Sequence, residues 1–254
     1  ALEGWNGFGL AVQAYLKRAL PVIDWLAAQA AQSGRRWCVR LVKGAYWDTE
    51  IKRAQEQGLS GYPVFTRKPN TDISYLACAR QMFEVGSEFI YPQFATHNAH
   101  TIAAIHHYAH GRPYEYQRLH GMGTDLYAEV IGEKNLNVPC RVYAPVGSHE
   151  DLLPYLVRRL LENGANTSFV NRIVDEATPI RELVADPVET VRAFDRIAHP
   201  RIPQPLALYG ADRKNSMGIN LANDDELRAL TAQIEAVLAK ADWRAVAGRL
   251  AEDA

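Results

Sequence analysis

The fold is decided by the stretch WCVRLVKGAYW at residues 37–47, where a short β-rich run ends in polar and aromatic side chains. Strand alternation places Arg40 and Val42 on one face, and Lys43 follows at the end of the strand. Four further runs are candidate strands: Leu10–Tyr15, Phe89–Ala95, Tyr114–Leu119 and Cys140–Ala144. Amphipathic helical stretches lie between the runs, so the pattern predicts βα units on a parallel sheet.

Polar residues gather directly after these candidate strands. Lys43 and Tyr46 follow one strand, and His97 and Asn98 follow the next. This placement is typical of a (βα)8 barrel, although a doubly wound sheet also binds ligands at its strand ends. No Gly-rich dinucleotide fingerprint follows a strand, which disfavours a Rossmann fold. Five candidate strands are nevertheless too few to close a barrel of eight.

The composition is that of an ordinary globular domain. The 254 residues have a formal net charge of −1, which gives no indication of a nucleic-acid partner. No apolar run is long enough to span a membrane, although peripheral contact needs no such run. The three cysteines, Cys38, Cys78 and Cys140, are widely spaced and odd in number, which favours a reducing compartment over a disulfide framework.

The amino-acid composition of the sequence changes in the last third of the chain. We predict that residues 1–177 form the α/β part and that residues 178–254 form an irregular connection followed by a helix. The connection is rich in Pro, Gly, Asn and charge. The helix is expected from about Asp225 to Leu250, with Leu227, Ile234 and Val237 near helical spacing.

Arg40 and Lys43 are the first candidates for chemistry. An arginine on the inward face of a strand is costly unless it meets an anion or an electron-rich acceptor. An ion pair with a neighbouring strand would satisfy it equally well. Lys43, at a strand end, is also compatible with a Schiff-base lyase.

A second candidate is the helix that contains Tyr155, Arg158, Arg159 and Glu162, which form one stripe at 100° per residue. Two arginines on a stripe can clamp a carboxylate, for which the planar guanidinium is suited. Spacing alone favours the simpler interpretation, a solvated face with an Arg–Glu pair.

The segments Thr66-Arg67-Lys68 and Thr96-His97-Asn98 are the remaining candidates. Hydroxyl groups and cations suit a pyrophosphate, but both are common on surfaces. His97 and His100 form only a weak metal pattern because no carboxylate lies at a matching spacing. Asn98 can equally cap the next helix.

Taken in order, these segments resemble the proline dehydrogenase family, most closely the proline dehydrogenase domain of bacterial bifunctional proline utilization A proteins. The likeness runs to about residue 224, and runs of this length are specific. The matching stretches are Gly9–Tyr15, Val39–Trp47, Gly61–Lys68, Thr71–Cys78, Tyr91–His100, Leu119–Gly123, Cys140–Gly147, Tyr155–Arg172, His199–Pro203 and Asn215–Asn223.

The resemblance implies a TIM-like (βα)8 barrel that binds FAD and oxidises L-proline to Δ1-pyrroline-5-carboxylate. It implies that Arg40 lies beside the flavin as a catalytic residue and that Lys43 is not a Schiff-base lysine. It assigns the substrate to Tyr143, which is also catalytic, and to Tyr155, Arg158 and Arg159. The cofactor contacts that it implies are Gln13, Arg40, Val42, Lys43, Gly44, Ala45, Tyr46, Trp47, Thr66, Arg67, Lys68, Thr96, His97, Gln117, Leu119, Ser168 and Phe169.

The resemblance also implies partners and a larger polypeptide. The family barrel has three earlier strands, so we expect these residues to represent part of a longer chain with an aldehyde dehydrogenase domain downstream. A membrane quinone is the implied electron acceptor, which suggests a cytoplasmic enzyme that docks peripherally on the inner face of the membrane. The alternatives are a Schiff-base barrel lyase that uses Lys43 and a non-catalytic fragment.

Overall fold

A computed structural model describes residues 5–164, 179, 181 and 184–240, with side chains left out at 160–164. The strands are β1 (Gly9–Gln13), β2 (Trp37–Val42), β3 (Ile90–Ala95), β4 (Glu115–Leu119) and β5 (Cys140–Tyr143). The α-helices are α1 (Ala19–Ser33), α2 (Trp47–Glu56), α3 (Lys68–Glu84), α4 (Ala99–Ala109), α5 (Thr124–Ala128), α6 (His149–Gly164), α7 (Pro187–Arg192) and α8 (Asp224–Lys240). A 3-10 turn spans Pro205–Ala207. Each predicted strand is present, with bounds shifted by no more than two residues at either end.

The order of the strands distinguishes between the two folds that the sequence left open. All neighbours are parallel, and their order is β1-β2-β3-β4-β5 without reversal. Right-handed crossovers that always advance in one direction place their helices on one face of the sheet, whereas a doubly wound sheet reverses its order. The α/β prediction with strands in barrel order is therefore confirmed.

The core lies between the sheet and these helices. Val39, Leu41 and Phe94 are fully buried on the helix side of their strands. Phe94 and Tyr114 both pack against Phe83 of α3, with ring centroids 5.5 Å apart in each pair. Because successive side chains of a strand point to opposite faces, the residues between these buried ones face the other side of the sheet, where the polar side chains are found.

The helices α1 and α3 differ in how regularly they bury apolar residues. In α1 the residues Ile23, Leu26, Ala27 and Ala30 are buried at helical spacing, while Leu20 at its start is 40% exposed. In α3 the residues Tyr75, Cys78 and Met82 are buried, while Ala77 is exposed. Three helices and two strands contact α3, so its buried residues extend beyond one narrow stripe. This weakens the helical periodicity of apolar residues in the sequence.

The chain forms two compact units, 1–52 with 62–203 and 53–61 with 204–254. In the first, α7 packs against α3. In the second, the Asn215 side-chain amide donates to the carbonyls of Gln55 at 2.6 Å and Pro205 at 3.1 Å. The predicted division between residues 177 and 178 lies outside the described residues and stays a prediction.

Among the residues that the structure describes, none of the helices combines the length and apolarity that crossing a bilayer requires.

Candidate active site

Arg40 lies on the polar face of the sheet and is held by neutral groups. Its Nε donates a hydrogen bond to Gln117 Oε1 at 2.7 Å. Its guanidinium carbon lies 4.9 Å from the ring centre of Tyr143, at the end of β5. The ion-pair alternative is not supported, because the buried carboxylate on this face, Glu115, is paired with Arg141. Arg40 thus keeps its charge beside an aromatic ring and an amide.

The arginines of α6 point toward the site. The guanidinium carbon of Arg158 lies 5.2 Å from the ring centre of Tyr46, and that of Arg159 lies 5.4 Å from the ring centre of Tyr155. Nε of Arg158 is buried and has no hydrogen-bond partner within the described part of the chain.

The opposite side of α6 is the exposed one. Leu153, Leu156 and Val157 are 54%, 43% and 42% exposed. Arg158 and Arg159 are half-buried while these apolar residues face outward, which disfavours the interpretation of the arginine stripe as a solvated face. The side chain of Glu162, the other member of the predicted ion pair, lies outside the described residues.

A side chain caps the start of α6. The Ser148 hydroxyl donates to Asp151 Oδ2 at 2.7 Å and accepts from the Asp151 amide at 3.3 Å. This cap fixes the start of α6 and with it the register of the arginines.

Lys43 is one of two lysines that share a carboxylate. Asp72 Oδ1 lies 2.5 Å from Lys43 Nζ, and Asp72 Oδ2 lies 2.7 Å from Lys68 Nζ. Burial raises the pKa of Asp72, but the two lysines outweigh it and hold that pKa below its ordinary value. The ion pair holds the Lys43 side chain against Asp72, whereas a Schiff-base lysine must be free to attack as a neutral amine. This geometry disfavours the lyase alternative.

The start of α3 lies beside the loop that follows β2. The indole nitrogen of Trp47 donates to the Phe65 carbonyl at 2.8 Å. Thr66 Oγ1 accepts from the His199 amide at 2.9 Å, and the guanidinium carbon of Arg67 lies 4.0 Å from the ring centre of Phe194. Trp47, Thr66, Arg67 and Lys68 are thus brought together around a helix N-terminus.

Thr96, His97 and Asn98, which follow β3, make different contacts. The Asn98 side chain accepts from the Thr101 amide at 3.0 Å, so it caps α4 as the sequence allowed. Thr96 is buried, and its carbonyl accepts from the Tyr127 hydroxyl at 2.7 Å. Burial and the charges of two arginines lower the pKa of His97, whose Nε2 is buried without a hydrogen-bond partner in the described residues. The described residues contain no cluster of three potential metal ligands.

The other predicted contacts lie at the ends of the strands. Gly44 has φ +126°, and a Cβ there would lie 2.7 Å from the Tyr15 ring, so only glycine fits. Four further predicted cofactor contacts lie at or near strand ends. Gln13, Val42 and Leu119 are the last residues of β1, β2 and β4, and Ala45 lies in the loop after β2. Ser168 and Phe169 lie outside the described residues.

Two acidic residues of the site were missed by sequence reasoning. Asp72 stands four residues after Lys68, and Glu115 stands two residues before Gln117 on the same strand face. The spacing of a helix turn and of strand alternation could have indicated both pairs. Their second partners, Lys43 and Arg141, come from elements distant in sequence.

The fold and the site together define a parallel α/β protein of the barrel type, with a cationic, tyrosine-lined site at the carboxyl ends of its strands. The family model described as proline dehydrogenase matches residues 1–172. The chain belongs to the proline dehydrogenase family.

Two relatives are the bifunctional PutA proteins of Salmonella typhimurium and Escherichia coli. The first is 58% identical over 246 residues and the second is 56% identical over 259, covering 92% and 96% of this chain. The chain spans 19% of the length of each relative. A crystal structure of a mutant Bradyrhizobium japonicum proline utilization A superposes with a TM-score of 0.85 at 52% identity, covering 92% of this chain and 24% of that one.

Proposed function

We propose that this chain is part of a flavin-dependent enzyme that oxidises L-proline to Δ1-pyrroline-5-carboxylate. The observation that carries the proposal is that Arg40 lies against the ring of Tyr143 at the end of β5 and Arg158 against the ring of Tyr46 just after β2, with Arg159 beside Tyr155 of its own helix. Membership in the proline dehydrogenase family supports it. The reaction is the first step of proline catabolism to glutamate.

The α6 arginines bind the carboxylate of the substrate. Arg158 presents a buried Nε that has no hydrogen-bond partner among the described residues, and a bidentate carboxylate would satisfy it. Arg159 supplies the second cation, and the rings of Tyr143 and Tyr155 form apolar walls for the pyrrolidine ring. A substrate fixed at its carboxylate presents one ring carbon to the acceptor, which is how orientation lowers the barrier.

The residues also fit a flavin dinucleotide. Lys43, Arg67 and Lys68 place cations beside the N-terminus of α3, a combination that suits a pyrophosphate. The ammonium groups of Lys43 and Lys68 both contact the carboxylate of Asp72 there. When bound, FAD supplies the two-electron acceptor for this chemistry. Arg40 contributes a fixed positive charge that favours the negative charge developing on reduction, because arginine cannot deprotonate.

The fate of the product and the electrons is part of the same proposal. The aldehyde dehydrogenase domain that would take the product is expected in the same polypeptide, since the chain spans 19% of the PutA relatives. We expect a membrane quinone to reoxidise the flavin, with the cytoplasmic enzyme docking peripherally on the inner face of the membrane.

The test uses the full-length protein. Purified protein should show the visible absorption of an oxidised flavin, and anaerobic L-proline should bleach it with formation of the pyrroline product. D-proline serves as the control for a fixed carboxylate. A colourless protein, or a yellow one that L-proline does not reduce, would contradict the proposal.

A further inference from the structure

Glu115 is a buried carboxylate that the reaction as proposed does not use. It is 4% exposed and accepts four hydrogen bonds on the polar face of the sheet. Oε1 accepts from Gln93 Nε2, Gln117 Nε2 and Arg141 Nε, each at 2.8 Å, and Oε2 accepts from a terminal nitrogen of Arg141 at 3.0 Å. The register places Gln93 opposite Glu115 and Gln117 opposite Arg141, so the strands themselves assemble this group.

The carboxylate stays ionised at neutral pH. Burial raises the pKa of Glu115, but the hydrogen bonds from Arg141, Gln117 and Gln93 outweigh it and hold the pKa below its ordinary value. An ionised carboxylate can only accept hydrogen bonds. Every side chain that faces it must therefore present a donor.

This requirement fixes the direction of the Gln117 amide. Gln117 must turn Nε2 toward Glu115, which leaves Oε1 on the other side, where it accepts from Arg40 Nε at 2.7 Å. A reversed amide would place a donor against the Arg40 N–H and a carbonyl oxygen against the carboxylate. Each hydrogen bond in the row therefore pairs a donor with an acceptor: Arg141 and Gln117 donate to Glu115, and Arg40 donates to Gln117.

We propose that Glu115 is a positioning residue, which sets the orientation of the Arg40 guanidinium at the flavin through the Gln117 amide. The inference rests on the proposed function, since it gives Arg40 its place beside the flavin. Glu115 touches neither substrate nor cofactor in this scheme, and it acts through hydrogen-bond direction instead of through its own charge.

Two neutral variants of the full-length protein separate orientation from charge. Glu115→Met removes every acceptor, so the Gln117 amide can reverse and Arg40 loses its fixed partner. Glu115→Gln removes the same charge but keeps one oxygen for Gln117, because Arg141 has a 62% exposed side chain and can turn away from the new amide nitrogen. Loss of a negative charge alone would make the flavin easier to reduce, and equally so in both variants.

The readout is the flavin midpoint potential, with the flavin absorption spectrum recorded alongside. In Glu115→Met the ratio of reduced to oxidised flavin at a fixed potential should fall about tenfold, equal to a shift of ~30 mV downward for a two-electron couple. In Glu115→Gln the potential should not fall below the parent value, because the Arg40 orientation is kept and only the charge is lost. Equal shifts in both variants, or an upward shift in Glu115→Met, would overturn the proposal.

Further variants keep the proposal testable if Glu115→Met does not fold. Gln117→Met should lower the potential in the same direction without altering Glu115, and Glu115→Leu, which also removes every acceptor, carries the test if Glu115→Met does not fold. Arg141→Lys keeps the charge at the exposed end of the group and should leave the potential unchanged. An unchanged potential in Gln117→Met refutes positioning, whereas a parent protein that binds no flavin refutes the proposed function itself.

Discussion

Replacement of Arg158 by methionine in the full-length protein should weaken the use of proline and leave the flavin bound. Arg158 is half-buried, its guanidinium lies against the Tyr46 ring, and its Nε has no hydrogen-bond partner among the described residues. A charge-assisted hydrogen bond of this kind contributes roughly 2 kcal/mol. At 1.36 kcal/mol per factor of ten, kcat/KM for proline should fall about 30-fold.

The loss should appear mainly in KM. Arg159 remains in Arg158→Met to orient the bound ring. The contact that Arg158 adds is equal in the ground state and the transition state, so its removal raises KM and leaves kcat nearly unchanged. Methionine keeps most of the apolar length of the side chain, so the packing of α6 is disturbed little.

The assay compares two substrates in two variants. Pyrrolidine lacks the carboxylate, so its kcat/KM should be nearly the same in the parent and in Arg158→Met. Arg80→Met is the matched control, because Arg80 has a 70% exposed side chain and forms its salt bridge with Glu84 on its own helix. If pyrrolidine loses as much activity as proline in Arg158→Met, the reasoning is refuted and the arginine acts on the fold.

Arg40→Met should make the flavin harder to reduce by several tens of millivolts, where ~30 mV corresponds to ~1.4 kcal/mol, and a spectroelectrochemical titration within error of the parent would contradict this. Gly44→Ala should destabilise the protein by on the order of 2 kcal/mol, because the new Cβ meets the Tyr15 ring at 2.7 Å and the backbone has φ +126°; a chemical unfolding curve that coincides with the parent would exclude this strain. Asp72→Asn should lower the free energy of unfolding by about 2 kcal/mol at pH 7 through the loss of its pair with Lys43. Because the folded-state pKa of Asp72 is lowered, this difference should stay constant down to about pH 4 and shrink as the pH falls further, and a difference that grows toward low pH would show that the carboxylate does not stabilise the fold.

The sequence by itself determined where the strands lie along the chain. Strand runs such as Trp37–Val42 and the cap at Ser148 follow from local chemistry, since alternation and side-chain capping involve residues that are neighbours along the chain. The polar residues that follow each strand were also visible, because parallel strands present their carboxyl ends at one edge. For these features no knowledge of the packing was needed.

Only the tertiary structure decided which way the stripes and charges face. Helical spacing places Arg158 and Arg159 on one side of α6 but cannot tell whether that side meets the sheet or the solvent. Lys43 reads as a Schiff-base candidate until α3 brings Asp72 within 2.5 Å of it. The partner of Arg40 comes from a strand 77 positions further along the chain, and contacts at such separation depend on sheet register, which local periodicity does not encode.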